Sequence, residues 1–285
     1  MVSFQEVVDA TAKALVQAST TFSDDQMGAY KLAMQNESST KTKWVLEQII
    51  KNAEVAASVK LPLCDDTGIP HVFVRIGEMA QAPGYLFSGI TEGIKLGLKQ
   101  LPGRPMAVKG SGLDLLGQTQ GMYEDGSMLA HAPISVKTQP GSNIDITVLM
   151  LGGGPEIRGK TYRVFHKHEG INVIKEVAEW AAENAAKLGC TPTVPLVGIG
   201  RTQYEAASLM LEAMVEADFS KQSEEEKMIT AIVNETKVGG LGLGGETTAL
   251  AAFLKIGPQR ASGVRIVSLR LGCCFDPRKS TVTLN

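Results

Sequence analysis

Apolar residues return every three to four positions at the start of the chain. Phe4, Val8, Ala12 and Leu15 share one helical face, and Trp44, Leu46, Ile49 and Ile50 mark a second helix over residues 43–59. The first sixty residues are therefore predicted to be helical. The period then changes. His71-Val72-Phe73-Val74-Arg75-Ile76 is rich in β-branched and aromatic residues and predicts a strand. Leu86, Ile90, Ile94 and Leu98 restore the helical period over 85–98, while glycine and proline predict irregular structure over 102–126. Strands are predicted over 132–138 and 144–151, and Gln139-Pro140-Gly141-Ser142-Asn143 reads as the turn of a hairpin between them.

Further on, an alanine-rich helix is predicted over 173–187, ending at Gly189. A short apolar strand, Val194-Pro195-Leu196-Val197-Gly198-Ile199-Gly200, leads into a helix over 202–215. A charged stretch at 220–227 opens another helix, 247–254 is predicted as a third, and 264–269 as a last strand. Helices and strands alternate without long linkers, repeats or low-complexity segments. The prediction is one α/β domain over residues 1–285, mixed sheets packed with helices, with a helical part over about 1–60.

Composition narrows the classes. A net charge of −2 without a basic tract offers no field for nucleic acid or an anionic membrane. No apolar run is long enough to span a bilayer, and the first residues lack a basic segment leading into an apolar one, so no signal peptide is expected. Four cysteines in 285 residues make no disulfide framework, which points to a reducing, cytoplasmic setting. Glycine is the outlier at 30 residues, clustered at 152–154 and 239–245. Such clusters serve either tight turns or close backbone approach to a ligand.

The cysteines carry the candidate chemistry. Cys64, Cys190 and the adjacent Cys273 and Cys274 stand at the ends of apolar runs, next to turn-forming residues, where loops can turn thiolates into a common cavity. Three thiolates on separate loops suit an iron–sulfur cluster with one iron left without a protein ligand. Asp65-Asp66 beside the first cysteine offers carboxylates for proton transfer. Zinc is the competing metal, although no Cys-x-x-Cys pair supports it.

Cys64-Asp65-Asp66-Thr67-Gly68, followed by an apolar strand, resembles the Cys-Gln-Asp-Thr-Gly signature of the class I iron–sulfur fumarases and L-tartrate dehydratases. Cys190-Thr191-Pro192 leading into Val197-Gly198-Ile199-Gly200 resembles that family's Cys-Pro-Pro and following Gly-rich strand. Gly239-Gly240-Leu241-Gly242-Leu243-Gly244-Gly245 with Thr247-Thr248-Ala249 resembles its Gly-Leu-Gly-Gly-Thr-Thr-Thr-Ala segment, and Cys274 with Arg278 its terminal Cys-x-x-x-Arg-Arg. Order and spacing agree from about residue 30 onward.

The resemblance implies a [4Fe-4S] hydro-lyase acting on a small hydroxy-dicarboxylic acid of the fumarate/malate or L-tartrate type. It implies Cys64, Cys190 and Cys274 as ligands and Asp66 as acid/base. A dicarboxylate needs cationic partners, for which Arg278 is the candidate, and Gly153 and Gly154 bring backbone N–H groups to a carboxylate or serve a tight strand exit. The length matches a separate α subunit, implying a smaller β subunit and a hetero-oligomer with two α chains.

Departures accompany the match. Asp65 replaces glutamine, Gly110-Ser111-Gly112-Leu113-Asp114 replaces an arginine-containing segment, and Leu151-Gly152-Gly153-Gly154-Pro155-Glu156 replaces Lys-Gly-Gly-Gly-Ser-Glu-Asn. A family histidine ahead of the last cysteine is absent, with Arg260 and Ser262 nearby. The substrate pocket is therefore expected to be altered, and a non-enzymatic or regulatory paralogue is the rival reading. Plainer roles stand beside each assignment: packed thiols, Asp66 as a turn cap, Asp65 as a solvated neighbour, Arg278 as an exposed basic end. His166 and His168 alternate among charged residues and read as surface, and His71 as a partly buried histidine near the Cys64 motif.

Overall fold

The computed structural model describes residues 2–285. Helices α1 (Phe4–Thr20), α2 (Asp24–Asn36) and α3 (Thr40–Val59) lead into strand β1 (Ile69–Gly77), helix α4 (Leu86–Gln100) and the short α5 (Leu113–Gly117). Strands β2 (Ser135–Gln139) and β3 (Ile144–Leu151), the one-turn α6 (Gly153–Glu156), β4 (Gly159–Phe165) and α7 (Ile171–Ala185) follow. The chain ends with β5 (Val194–Gly200), α8 (Gln203–Glu216), α9 (Glu224–Asn234), β6 (Phe253–Ile256), β7 (Val264–Gly272) and β8 (Arg278–Leu284). The α/β class and the helical N-terminal region match the expectation.

Two compact units are built from interleaved stretches of chain. One takes the stretches up to Thr21, Ala53–Gly152 and Arg278–Asn285; the other takes Phe22–Asn52 and Gly153–Pro277. Because the units are assembled from interleaved stretches, no linker marks a boundary along the sequence.

The first unit is a four-stranded sheet, ordered β2-β1-β3-β8, under α1 and α4. Strand β1 alternates buried and half-exposed positions, with Val72 and Val74 on the core side, whereas β3 is buried almost throughout. Helix α1 opens on a capping box between Ser3 and Glu6 and buries Val7 and Leu15 against Ile90 and Ile94 of α4. Three glycines of α4 lie four apart on the face toward α1: an added Cβ at Gly89, Gly93 or Gly97 would meet Val7, Thr11 or Leu15 at 3.0 Å or less. Glycine costs a helix about 1 kcal/mol against alanine, and the close helix contact it permits offsets that cost.

The hairpin predicted across residues 132–151 does not form. β1 lies between the two strands, parallel to β2 and antiparallel to β3. The Gln139–Asn143 turn is present, but it closes around the end of β1: the amides of Gly77, Glu78 and Met79 donate to the carbonyls of Asn143, Gln139 and Gly141. A turn signal says that the chain reverses, not which strand fills the gap.

The second unit holds the sheet β4-β7-β5-β6, with β5 parallel to β6 and antiparallel to β7. β5 is buried along its whole length. Gly198 and Gly200 leave no room for side chains because the backbone of α8 around Ala206 lies directly on them. That packing, rather than a ligand, accounts for the glycines of this strand. The helix predicted over 247–254 is absent. The amides of Thr248 and Ala249 donate to Asn234 Oδ1 at 2.8 and 2.7 Å, and Leu250 N reaches Thr193 O at 2.9 Å. Long-range partners thus take the groups an intrahelical ladder would need.

Candidate functional site

In the first unit the Cys64 loop runs into β1 and is held from β8. Arg278, the first residue of β8, is 3% exposed, and its Nη1 donates to the carbonyls of Asp66 (2.7 Å) and Thr67 (3.2 Å). Thr67 Oγ1 accepts the Arg104 amide at 2.9 Å, tying the loop on its other side. The Asp66 carboxylate and Arg278 guanidinium converge over Gly152: a Cβ there would lie 2.7 Å from Asp66 Oδ2 and 3.0 Å from Arg278 Nη2. Gly68, at φ +87°, lies under the same guanidinium, where a Cβ would be 2.9 Å from Nη2. The sequence-predicted residues Asp66 and Arg278 are thus brought together, two residues on from Cys64. Arg278 is no exposed basic end but a buried brace of the Asp66 segment.

The Asp65 side chain is 87% exposed, 3.8 Å from the less exposed Arg104, and its Oδ1 accepts from Cys64 Sγ at 3.6 Å. Gly153 and Gly154 begin the one-turn α6 and are exposed, and nothing lies within 4 Å of a Cβ at Gly154. Gly152, unlike Gly154, leaves no room for a Cβ.

In the second unit Cys190 and Cys274 lie on adjoining backbone, the Cys274 amide donating to the Cys190 carbonyl at 3.0 Å. Cys190 is exposed and Cys274 is buried. The Cys190-Thr191 turn is fastened to the glycine loop: Thr191 Oγ1 donates to Gly239 O at 2.5 Å and accepts from Gly242 N at 3.2 Å. That loop is held in turn by Thr42, whose hydroxyl accepts from Gly240 N and donates to Gly244 O, both at 2.8 Å. Glu37 receives the amides of Ser39, Glu246 and Thr247 at 2.9–3.0 Å. Burial works against its carboxylate, but those amides and the Thr247 hydroxyl outweigh it, so its pKa lies below the usual value.

The Cys273–Pro277 turn is buttressed on several sides. Cys273 N donates to Asp276 Oδ2 at 3.0 Å, and Phe275 N reaches Cys273 Sγ at 3.4 Å. Arg270, 2% exposed, pairs with Glu156 and stands 3.7 Å from Asp276. The Tyr30 hydroxyl donates to the Cys274 carbonyl. Burial first, then the charges of Cys274, Cys273 and Asp276, push the Tyr30 phenol far above its usual pKa, so it remains a donor.

The four cysteines form no disulfide, and the donor set fits an iron–sulfur group: soft thiols, two of them carried on hydrogen-bonded neighbouring turns. Among the described residues no group of three or more His, Cys, Asp or Glu side chains stands ready to hold a metal ion. His166 Nε2 meets Ser262 O at 2.7 Å, and His71 Nδ1 meets Ile69 O at 3.2 Å. Sequence reasoning missed Tyr30, Gln26, Glu37, Thr42 and Arg270. No local motif marks them: their long-range contacts, such as Arg270 to Glu156, Glu37 to Glu246 and Gln26 to Asp276, span 114 to 250 residues.

A family model described as fumarate hydratase (Fumerase) matches residues 8–283. A protein of Methanocaldococcus jannaschii, provisionally named an L(+)-tartrate dehydratase subunit alpha, is 27% identical over 280 residues, covering 95% of this chain and 94% of its own. The L(+)-tartrate dehydratase subunit alpha of Escherichia coli (strain UTI89) is 24% identical over 288 residues, covering 98% and 91%. That of Shigella sonnei (strain Ss046) is 23% identical over the same length.

Proposed function

Since the chain belongs to the fumarate hydratase (Fumerase) family, we propose that it is the α subunit of a [4Fe-4S]-dependent hydro-lyase. Its substrate is a small hydroxy-dicarboxylic acid, of the L-tartrate or fumarate/malate type. The observation that carries this reading is the Asp66 carboxylate held over Gly152 beside the buried Arg278, two residues after Cys64. The names of the relatives support the tartrate type and a separate β partner. No described helix is long and apolar enough to cross a membrane, and we take the enzyme to work in the reducing cytoplasm.

Cys64, Cys190 and Cys274 are the proposed ligands. When bound, the cluster supplies Lewis acidity toward hydroxyl and carboxylate oxygens of the substrate. The chain's own residues then handle position and protons. Arg278 fixes the carbonyls of Asp66 and Thr67, so the Asp66 carboxyl presents at a constant point. Asp66 gives its proton to the departing hydroxyl in dehydration and recovers it in hydration. The base for the neighbouring carbon and most of the carboxylate clamp come from the β partner, so the isolated chain is inactive. Gly153 and Gly154, both exposed, are the proposed place where backbone approaches one substrate carboxylate.

The test is anaerobic purification with iron and sulfide analysis, followed by hydration and dehydration assays with and without the β partner. A brown protein with about four irons and four sulfides per chain, active once the partner is added, is expected. A colourless protein with stoichiometric zinc refutes the cluster. Full iron loading without turnover on any hydroxy-dicarboxylate favours the regulatory paralogue.

A further inference from the structure

Helix α2 has almost no core of its own. Of its 13 residues only Gln26 and Tyr30 are buried, four apart on one face. A surface helix ordinarily buries an apolar stripe. This one buries two polar side chains, and both end on main-chain carbonyls of one turn. The Tyr30 hydroxyl donates to Cys274 O, while Gln26 Nε2 donates to Asp276 O at 3.2 Å and Phe275 O at 3.4 Å. Phe22, just ahead of the helix, stacks on the Tyr30 ring at 5.4 Å and packs on Phe275 at 6.1 Å.

The turn's internal bonds go elsewhere. Asp276 N and Oδ2 serve the Cys273 backbone, and Cys274 N serves Cys190. The carbonyls that remain are buried and need donors, and α2 brings them. Cys273 Sγ receives the Phe275 amide and is turned into the turn itself. Cys274 is therefore the cysteine whose carbonyl and amide are both fixed from outside the turn, by Tyr30 and by Cys190.

We propose that Tyr30, seconded by Gln26, is a positioning residue that holds the Cys274 thiol in place for ligation beside Cys190. The assignment of that thiol to a cluster rests on the proposed function; the positioning itself is read from the contacts. A ligand thiol held in advance lets a metal group bind without reordering the turn, and a loosened one releases it sooner.

Tyr30→Phe keeps the ring and its stacking and removes one donor. In the metal-free chain, a pulse of N-ethylmaleimide followed by peptide mass analysis gives the labelling rate of Cys274 relative to Cys64 in the other unit. Loss of one hydrogen bond is expected to raise that ratio about 2- to 10-fold, with the Cys64 rate unchanged. In the loaded protein, iron release to a chelator should accelerate by a similar factor. An unchanged ratio, or a parallel rise at all cysteines, overturns the proposal. Should Tyr30→Phe fail to fold, Gln26→Leu removes the second donor and is read the same way, with the same refuting outcomes. A wild-type chain that takes up no iron refutes the proposed function instead, and the metal-free labelling still decides the role of Tyr30.

Discussion

A single methyl group at residue 152 should disable the site while leaving the fold. In Gly152→Ala the new carbon would stand 2.7 Å from Asp66 Oδ2, 3.2 Å from its Cγ and 3.0 Å from Arg278 Nη2. That is about 0.7 Å short of ordinary contact at the carboxylate oxygen. Arg278 cannot yield easily, being buried and bonded to the Asp66 and Thr67 carbonyls. The Asp66 carboxylate must therefore swing aside. Displacing a proton donor by nearly an ångström costs on the order of 10²-fold in turnover, and forcing the methyl into a filled space costs about 1–3 kcal/mol of stability. Gly154→Ala is the control: nothing lies within 4 Å of its Cβ, and alanine keeps the backbone N–H. It should stay within about 0.5 kcal/mol of wild type and keep its activity. Anaerobic steady-state assays with the β partner, with iron content and thermal unfolding on the same preparations, make the comparison. Wild-type turnover in a fully loaded Gly152→Ala enzyme refutes the reasoning, as does equal damage from Gly154→Ala.

Asp66→Asn should retain iron and lose about 10²–10⁴-fold in turnover, whereas Asp65→Asn, whose side chain is 87% exposed, should behave almost as wild type in the same assay. Cys64→Ser, Cys190→Ser and Cys274→Ser should each deplete iron and sulfide, and Cys273→Ser should not, because its sulfur is turned toward the Phe275 amide; the reverse outcome at 273 and 274 exchanges the two assignments. Glu37 has a folded pKa below its ordinary value, so its contribution is complete above the unfolded value and disappears as pH falls through the folded one. Glu37→Gln should lower the thermal midpoint at neutral pH and flatten its decline below about pH 4.5, which melting curves across pH 3–7 will read.

Legibility of the fold followed burial. Elements with one strongly apolar face were readable from periodicity: α1, α4 and α7 bury regular stripes, and β5 is apolar throughout. Strand β4 was missed because it is exposed at most positions and carries no alternation. Residues 247–254 contain helix-forming Ala249-Leu250-Ala251-Ala252, yet their amides are taken by Asn234, Thr193 and Glu37. Local propensity gave way to bonds made across the sequence.

The site divides along the same line. The cysteines and Asp66 were legible as candidates because each stands next to a turn, within a five-residue motif. What aims those turns is distant in sequence and chemically unremarkable, such as Tyr30 for Cys274 and Glu37 for the glycine loop. The glycines make the limit concrete. Gly93, Gly152 and Gly198 are the same residue in the sequence. One admits a helix, one makes room for a carboxylate beside a guanidinium, and one lies under the backbone of α8. Composition shows that many backbones approach something closely. Only the identity of the approaching atom separates packing from chemistry, and at Gly152 those atoms are Asp66 Oδ2 and Arg278 Nη2.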